Sequence, residues 1–235
     1  MLQSWIPVEN LKVVNLCMNP HPNAMDLIDE NTCNIHWSIL YKELSENPSA
    51  IPLLEKNKEK IVWWMLSKNP KAIELLEQNK EKINWDCLSA NPGTIKLIEE
   101  NPEFIQWDFL SFNPSAIHIL ENNPRKISWW CLSENQKAIH LLEANPEKIS
   151  WNNLSKNPNA IHLLEANPDK IDWMNLSGNP KAIHLLEANL DKINWHVLSG
   201  NPNALHLLKA NQDKINWYKL SENPSIFIQE DYDCK

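Results

Sequence analysis

The chain has 235 residues, 43% hydrophobic and 22% charged, with three glycines, sixteen prolines and a net charge of −8. That balance belongs to a globular protein and excludes disordered and fibrous classes. Acids and lysines interleave, which excludes the clustered Lys and Arg stripe that a nucleic-acid-binding surface needs to displace counterions.

No run of about 18 apolar residues is present to span a bilayer, and MLQSWIPVEN lacks a basic segment followed by an apolar one. A soluble, cytoplasmic protein without a signal peptide or membrane partner is expected. Cys17, Cys33, Cys87, Cys131 and Cys234 are odd in number and lack C-x-x-C spacing. Reduced thiols are expected rather than a disulfide framework or a zinc cluster.

Taken in order, residues 1–46 carry an irregular version of a pattern that later becomes strict. Met18-Asn19-Pro20 with Ala24, Leu27 and Ile28 resembles the first half of a unit, and Ile35-His36-Trp37 the second. Trp37 to Trp63 is 26 residues, four more than the later period. Terminal repeats of a stack are atypical because one face lacks a neighbour, so 1–46 reads as an N-terminal cap.

Residues 47–222 hold eight regular units, starting at Asn47, Asn69, Asn91, Asn113, Asn135, Asn157, Asn179 and Asn201. Their tryptophans, from Trp63 to Trp217, stand 22 residues apart without a slip. A fixed period in this range means stacked supersecondary units. Residues 223–235 start a further unit at Asn223-Pro224 and break off into a polar tail, which reads as a C-terminal half-repeat and cap.

The unit 154–173, LSKNPNAIHLLEANPDKIDW, serves as the representative copy. Asn157 is a strong N-cap residue and Pro158 suits the first helical position. Ala160, Ile161 and Leu164 then share one face of a helix of about nine residues, Pro158 to Ala166. The second half has two readings. A helix starts at Asn167, or Asn-Pro-Asp-Lys is a turn and a short helix starts at the polar residue before Trp173, as at Asn84, Ser128, Ser150, Asn194 and Asn216. In the second reading the preceding Ile and following Leu, such as Ile83 and Leu88, form a hydrophobic staple; this reading is preferred.

Helices this short are marginal alone, so stacking must hold them. Seven apolar positions supply the core: Ala160, Ile161, Leu163, Leu164, Ile171, Trp173 and Leu176. The expected fold is an all-α solenoid of 22-residue helix-turn-helix repeats. With neighbours about 8–10 Å apart, eight units make a rod or arc of roughly 65–80 Å. A leucine-rich-like α/β solenoid is the rival, since Ile-x-Trp alternates like a strand, but nothing matches its L-x-x-L-x-L pattern.

Stacking turns each position into a ladder. His118, His140, His162, His184 and His206 form one, but rungs a helix spacing apart are too far apart to share an ion about 2 Å from each ligand. A polar ridge is the plainer reading, with pH sensitivity of the surface as the functional one. The glutamates (Glu99, Glu121 and their equivalents) and the lysines (Lys148, Lys170 and theirs) read as solvated faces with exposed ion pairs. Ser155, Asn157 and their equivalents read as partners of backbone groups at helix ends. No nucleophile–base pair, phosphate loop, metal motif or cofactor site is recognisable, so an enzyme is not expected.

The two residues after each Trp vary in chemistry while their neighbours repeat. Exposed Trp, Met, Phe and Tyr are types enriched at binding hot spots. Trp64, Met65, Phe109, Trp130, Met174, His196 and Tyr218 are therefore candidates for a protein-binding strip. The competing reading is that some of them fold back between helices as extra core.

The combined Asn-Pro, Leu-Leu-Glu and Ile-x-Trp spacing over residues 44–224 resembles tandem repeats of proteins encoded by giant nucleocytoplasmic DNA viruses. Departures are Lys58, Lys80, Gln136, Leu190 and Gln212 at proline positions, and the irregular first 46 residues. The resemblance implies a repeat scaffold, in the host cytoplasm or virion, and transfers no catalytic residue. Two functions are expected to compete: a non-enzymatic scaffold that binds a viral or host protein through an elongated surface, or a structural assembly component acting as spacer or cement. Self-association is compatible with either.

Overall fold

The computed structural model describes residues 1–31 and 37–228. The described residues form short helices and no strand, with a single isolated bridge between Leu2 and Phe227. The architecture is the expected all-α stack of helix pairs repeating every 22 residues. The leucine-rich-like alternative fails because only Ile171 and Asp172 are extended between a 3-10 turn and the next helix.

Within the representative unit Asn157 caps as expected, its Oδ1 accepting the Asn159 N–H at 3.0 Å. The helix it opens is shorter than nine residues. Its carbonyl closes a tight turn with the Ala160 N–H at 3.1 Å and accepts the Asn179 side-chain amide from the next unit at 3.1 Å. With that carbonyl so occupied, Ala160 sits at φ −99° and ψ 11°, and the α-helix runs only from Ile161 to Glu165. The second half follows the turn-then-helix reading. Asn167 breaks the chain direction and its amide donates back to the Leu163 carbonyl at 2.9 Å. Pro168–Lys170 form a 3-10 turn, and Asp172 caps the helix Trp173–Ser177 by accepting the Asn175 N–H at 2.8 Å. Asn84, Asn194 and Asn216 cap in the same way. Ser128 and Ser150 do not; the Ser128 Oγ lies 3.4 Å from the Cys131 Sγ instead.

Two buried polar ladders join the units. Ser155 Oγ donates to the Trp151 carbonyl at 2.8 Å and accepts the Asp172 N–H of the next unit at 3.0 Å. Asn179 donates its side-chain amide to the Ser155 and Asn157 carbonyls at 3.0 and 3.1 Å. Both ladders satisfy backbone groups at helix ends, as expected of them. Between them, Leu176, Ala160 and Leu164 are fully buried, whereas Ile161, Leu163, Ile171 and Trp173 are only partly covered.

The ladders do not end. Asn47 donates to the Cys17 and Asn19 carbonyls at 2.7 and 2.9 Å, and Asn19 in turn donates to the Ser221 and Asn223 carbonyls at 3.0 and 2.9 Å. The Lys12 N–H reaches Ser221 Oγ at 2.8 Å, repeating the serine contact. The asparagines at 19, 47, 69, 91, 113, 135, 157, 179, 201 and 223 thus form a closed cycle of ten.

The expected rod with two caps is therefore replaced by a ring. Residues 19–46 are its first unit and 47–222 its second to ninth. The tenth is split, with its first half from Asn223 to Phe227 and its second half from residues 1–18. There Val8–Asn10 form the 3-10 turn, Val13–Leu16 the helix, and Cys17 stands in the serine position with Sγ 3.4 Å from the Val13 carbonyl. The joint is fastened by Gln3 N–H to the Ile226 carbonyl at 2.8 Å and Ile228 N–H to the Met1 carbonyl at 2.7 Å. The physical reason is complementarity. Each half-unit leaves unpaired the serine, asparagine and apolar groups that the other supplies.

The first unit keeps register too. Ser45 Oγ donates to the Tyr41 carbonyl at 2.6 Å and accepts the Val62 N–H at 3.0 Å, so Tyr41, not Trp37, occupies the tryptophan position. Tyr41 precedes Trp63 by the regular 22 residues. The extra residues lengthen the helices Pro22–Asn31 and Trp37–Glu46 to ten residues each. Ile35 and His36 lie outside the described residues.

Trp helices of successive units pack directly on one another, as Trp85–Ala90 does on Trp107–Phe112 and, across the closure, Val13–Leu16 on Trp217–Glu222. Neighbouring Ile helices are instead bridged by long side chains, as by His118 and Glu99. In a closed ring the element whose neighbours are nearer lies nearer the axis, so the Trp helices form the inner layer. Ten helices spaced about 8–10 Å apart close a circle roughly 25–32 Å across. Backbones crowd most at Gly93, where an added Cβ would stand 2.4 Å from the Pro70 carbonyl oxygen.

Closure makes a measurable demand. Asn19→Ala and Asn135→Ala each remove a cap, take the donor from a buried serine carbonyl (Ser221 or Ser111) and take one of two donors from an asparagine carbonyl, a loss of about 2–4 kcal/mol apiece. Urea denaturation is expected to show similar midpoint shifts for both. A rod would show a large shift for Asn135→Ala and a small one for Asn19→Ala.

Candidate functional site

On a short helix whose Trp, Leu and Ser positions point into the stack, 100° per residue carries the first residue after Trp outward. It is exposed in every regular unit: Trp64, Asp86, Asp108, Trp130, Asn152, Met174, His196 and Tyr218. The second residue turns toward the preceding unit. Asn153 donates to the Trp130 carbonyl at 2.7 Å and Asn175 to that of Asn152 at 3.1 Å.

This geometry corrects the candidate strip. Met65 is 4% exposed and belongs to the packing between helices, as do Cys131 and Asn153. Phe109 is the exception in the second position, exposed like Trp64, Trp130, Met174, His196 and Tyr218. The extra-core reading holds for Met65, Cys131 and Asn153, and the first column stands exposed. Ring closure adds Val14 and Lys42 to the outward column, residues hidden in the sequence because Val13 and Tyr41 stand in the tryptophan position.

The surface carrying this column is concave. A cavity of about 350 Å³ is bounded by Glu46, Lys68, Cys87, Ala90 and Phe109, which come from four successive units. Another, of about 470 Å³, is bounded by Gly178, Val197, Gly200, Lys219, Glu222 and Met18, again from four units and across the closure. Both are open hollows that reach across four units, as on a face that curves inward. The inner position of the Trp helices and these hollows describe the same face.

The outer ladders have a different chemistry from the one expected. Lys170 Nζ lies 4.5 Å from the ring centroid of Trp151 in the preceding unit, and Lys82, Lys148, Lys192 and Lys214 sit in the same way at 4.4–4.5 Å over Trp63, Trp129, Trp173 and Trp195. The lysines therefore cover half-buried indoles by cation–π contact rather than forming a row of ion pairs. The glutamates pair with histidines: His118, His140, His162, His184 and His206 place Nε2 2.7–2.9 Å from Glu99, Glu121, Glu143, Glu165 and Glu187. Each pair is about half exposed, so each adds little to stability. Among the described residues no group of three His, Cys, Asp or Glu side chains is placed to hold a metal ion, and no helix is long and apolar enough to cross a membrane.

The thiols are subdued. Burial, with the Glu43 carboxylate adding to it, pushes the Cys17 thiol up to about 12. Burial also raises Cys87 and Cys131. Cys33 and Cys234 lie outside the described residues.

No family model, curated protein or solved structure matches the chain. Function is therefore argued from the ring and its surfaces.

Two measurements check these assignments. Iodoacetamide at pH 8 is expected to leave Cys17 unlabelled in the native protein and to alkylate it in urea, read by peptide mass spectrometry, because only the thiolate reacts. His162→Gln, which removes one exposed rung, is expected to lower stability by about 0.5 kcal/mol or less, read as the urea midpoint.

Proposed function

We propose that the ring is a non-enzymatic interaction module that engages a protein partner through the concave face of its Trp helices. One observation carries the reading. The outward column after each Trp changes chemistry from unit to unit, while the asparagine, serine, leucine and alanine positions beneath it repeat. An invariant frame with a varied, aromatic-rich surface is the arrangement expected where a few large side chains dominate affinity. Trp64, Phe109, Trp130, Met174, His196 and Tyr218 are its proposed contact residues, and Met65 supports them from within.

The alternative, a spacer or cement in an assembly, loses part of its basis. A closed ring gains no length from its repeats, and its surface is circular rather than elongated. A cement role remains compatible with the likeness of the repeat to those of giant-virus proteins, as does a place in the host cytoplasm or virion.

Proximity labelling with the wild-type chain and with a Trp64→Ala, Trp130→Ala, Tyr218→Ala variant tests the proposal. The variant is expected to keep its circular dichroism spectrum and to lose at least tenfold of its labelled partners. Unchanged partners would remove the concave face from consideration, and stoichiometric recovery of the chain in purified particles would favour the assembly role.

A further inference from the structure

The ring contains its own comparison for one exposed tryptophan. Trp64 and Trp130 occupy the same outward position three units apart, and each is approached from three equivalent places. These are the outward residue of the preceding unit, the residue before the asparagine that ends that unit, and the residue four positions on in its own. Around Trp64 they are Lys42, Glu46 and Lys68, and both lysines lie over the indole, with Nζ 6.0 and 5.3 Å from the ring centroid. Around Trp130 the same places hold Asp108, Phe112 and Glu134.

Two of the three changes put a carboxylate where Trp64 has a lysine, and the third replaces Glu46 by the aromatic ring of Phe112. Phe112 meets the Trp130 ring edge to face at 6.0 Å and 84°, which fixes the indole's orientation and leaves it 60% exposed. Where Trp64 carries two cations of its own, Trp130 has carboxylates at the two equivalent places, and among the described residues no lysine or arginine lies over its ring. Glu134 gives Oε2 to Lys156 at 3.2 Å, while Asp108 makes no ion pair or hydrogen bond among the described residues. Both carboxylates also raise the thiol of Cys131, the residue next to Trp130, so their field reaches this spot.

We infer that Trp130, Asp108 and Glu134 form a receptor for a cationic side chain, arginine or lysine, of the protein partner. The cation seats on the indole face, as the chain's own lysines do on Trp64, and the carboxylates neutralise it. This deepens the proposed function and rests on it, since it names the chemistry by which the concave face selects a partner.

The probe is the peptide acetyl-(Gly-Arg)4-amide, with acetyl-(Gly-citrulline)4-amide as the uncharged control, titrated into the full chain with tryptophan fluorescence and NMR as readouts. Wild type is expected to bind the arginine peptide saturably and at least tenfold more tightly than the citrulline peptide. Trp130→Ala, and Asp108→Lys with Glu134→Lys, which copies the Trp64 surroundings, are each expected to weaken it at least tenfold. His162→Gln, on the outer rim, is expected to leave it unchanged. The converse swap, Lys42→Asp with Lys68→Glu, is expected to raise the stoichiometry from one site to two.

Equal binding of the two peptides, or undiminished binding by the Asp108→Lys, Glu134→Lys variant, would overturn the inference. So would self-association in sedimentation that this variant abolishes while wild type ignores the peptide, because the occupant would then be a second copy. Should partner labelling depend on Trp64 and Tyr218 and not on Trp130, the cation receptor falls while the interaction module stands.

Discussion

Each unit-starting asparagine makes three hydrogen bonds, the two from its amide fully buried. Its oxygen caps the turn of its own unit, and its two amide hydrogens reach the carbonyl of the asparagine that starts the unit before and that of the serine position two residues ahead of it. Asn113, for example, accepts from Ser115 and donates to the carbonyls of Ser89 and Asn91. A buried amide with one unmet valence is costly, and among the described residues no buried side-chain nitrogen or oxygen lacks a partner. Shape follows from that demand. The two donor bonds are short and reach carbonyls two residues apart, so they fix both the distance and the rotation between units. Repeated ten times, the same step returns to its start.

Away from this inner ladder the spacing widens, and the side chains lengthen to match. Serine and asparagine span the narrow gap, lysine crosses to the indole of the unit behind, and histidine reaches glutamate at the rim. The gradient also ranks the contributions. Buried neutral hydrogen bonds and the fully covered Leu and Ala columns carry the stability, the lysine–tryptophan contacts add modestly, and the histidine–glutamate rungs contribute least. Repetition is thus strictest where the geometry is tightest, and chemical freedom appears on the exposed face of the Trp helix.

Much of this was legible in the residues. The period, the helical character, the turn before the Trp helix and the duties of Asn157 and Ser155 all follow from cap chemistry and apolar spacing, which are local. Closure was not legible, because it depends on an angle between units that no single unit encodes. Its traces were present but disguised. Val13, Cys17 and Tyr41 fill the tryptophan and serine positions with other side chains, so two halves of one unit looked like two imperfect caps. The lysines misled for a related reason. Each is preceded by an acid in its own unit, which suggests local pairing, yet the indole that receives it belongs to the unit behind. The outward column was legible, but its two positions could not be separated without the tilt of the helix, and Met65 fell in with the wrong one.

An open stack of repeats can gain or lose a copy at little cost, since each unit answers only to its neighbours. A circle does not have that liberty. Removing one 22-residue copy from this chain would oblige the remaining nine to bend more sharply at every Asn–carbonyl junction, and adding one would oblige all eleven to bend less. The number of units is therefore a discrete property of the fold, set by the geometry of one amide. Variation in this protein is confined to changing letters within copies rather than changing how many copies there are.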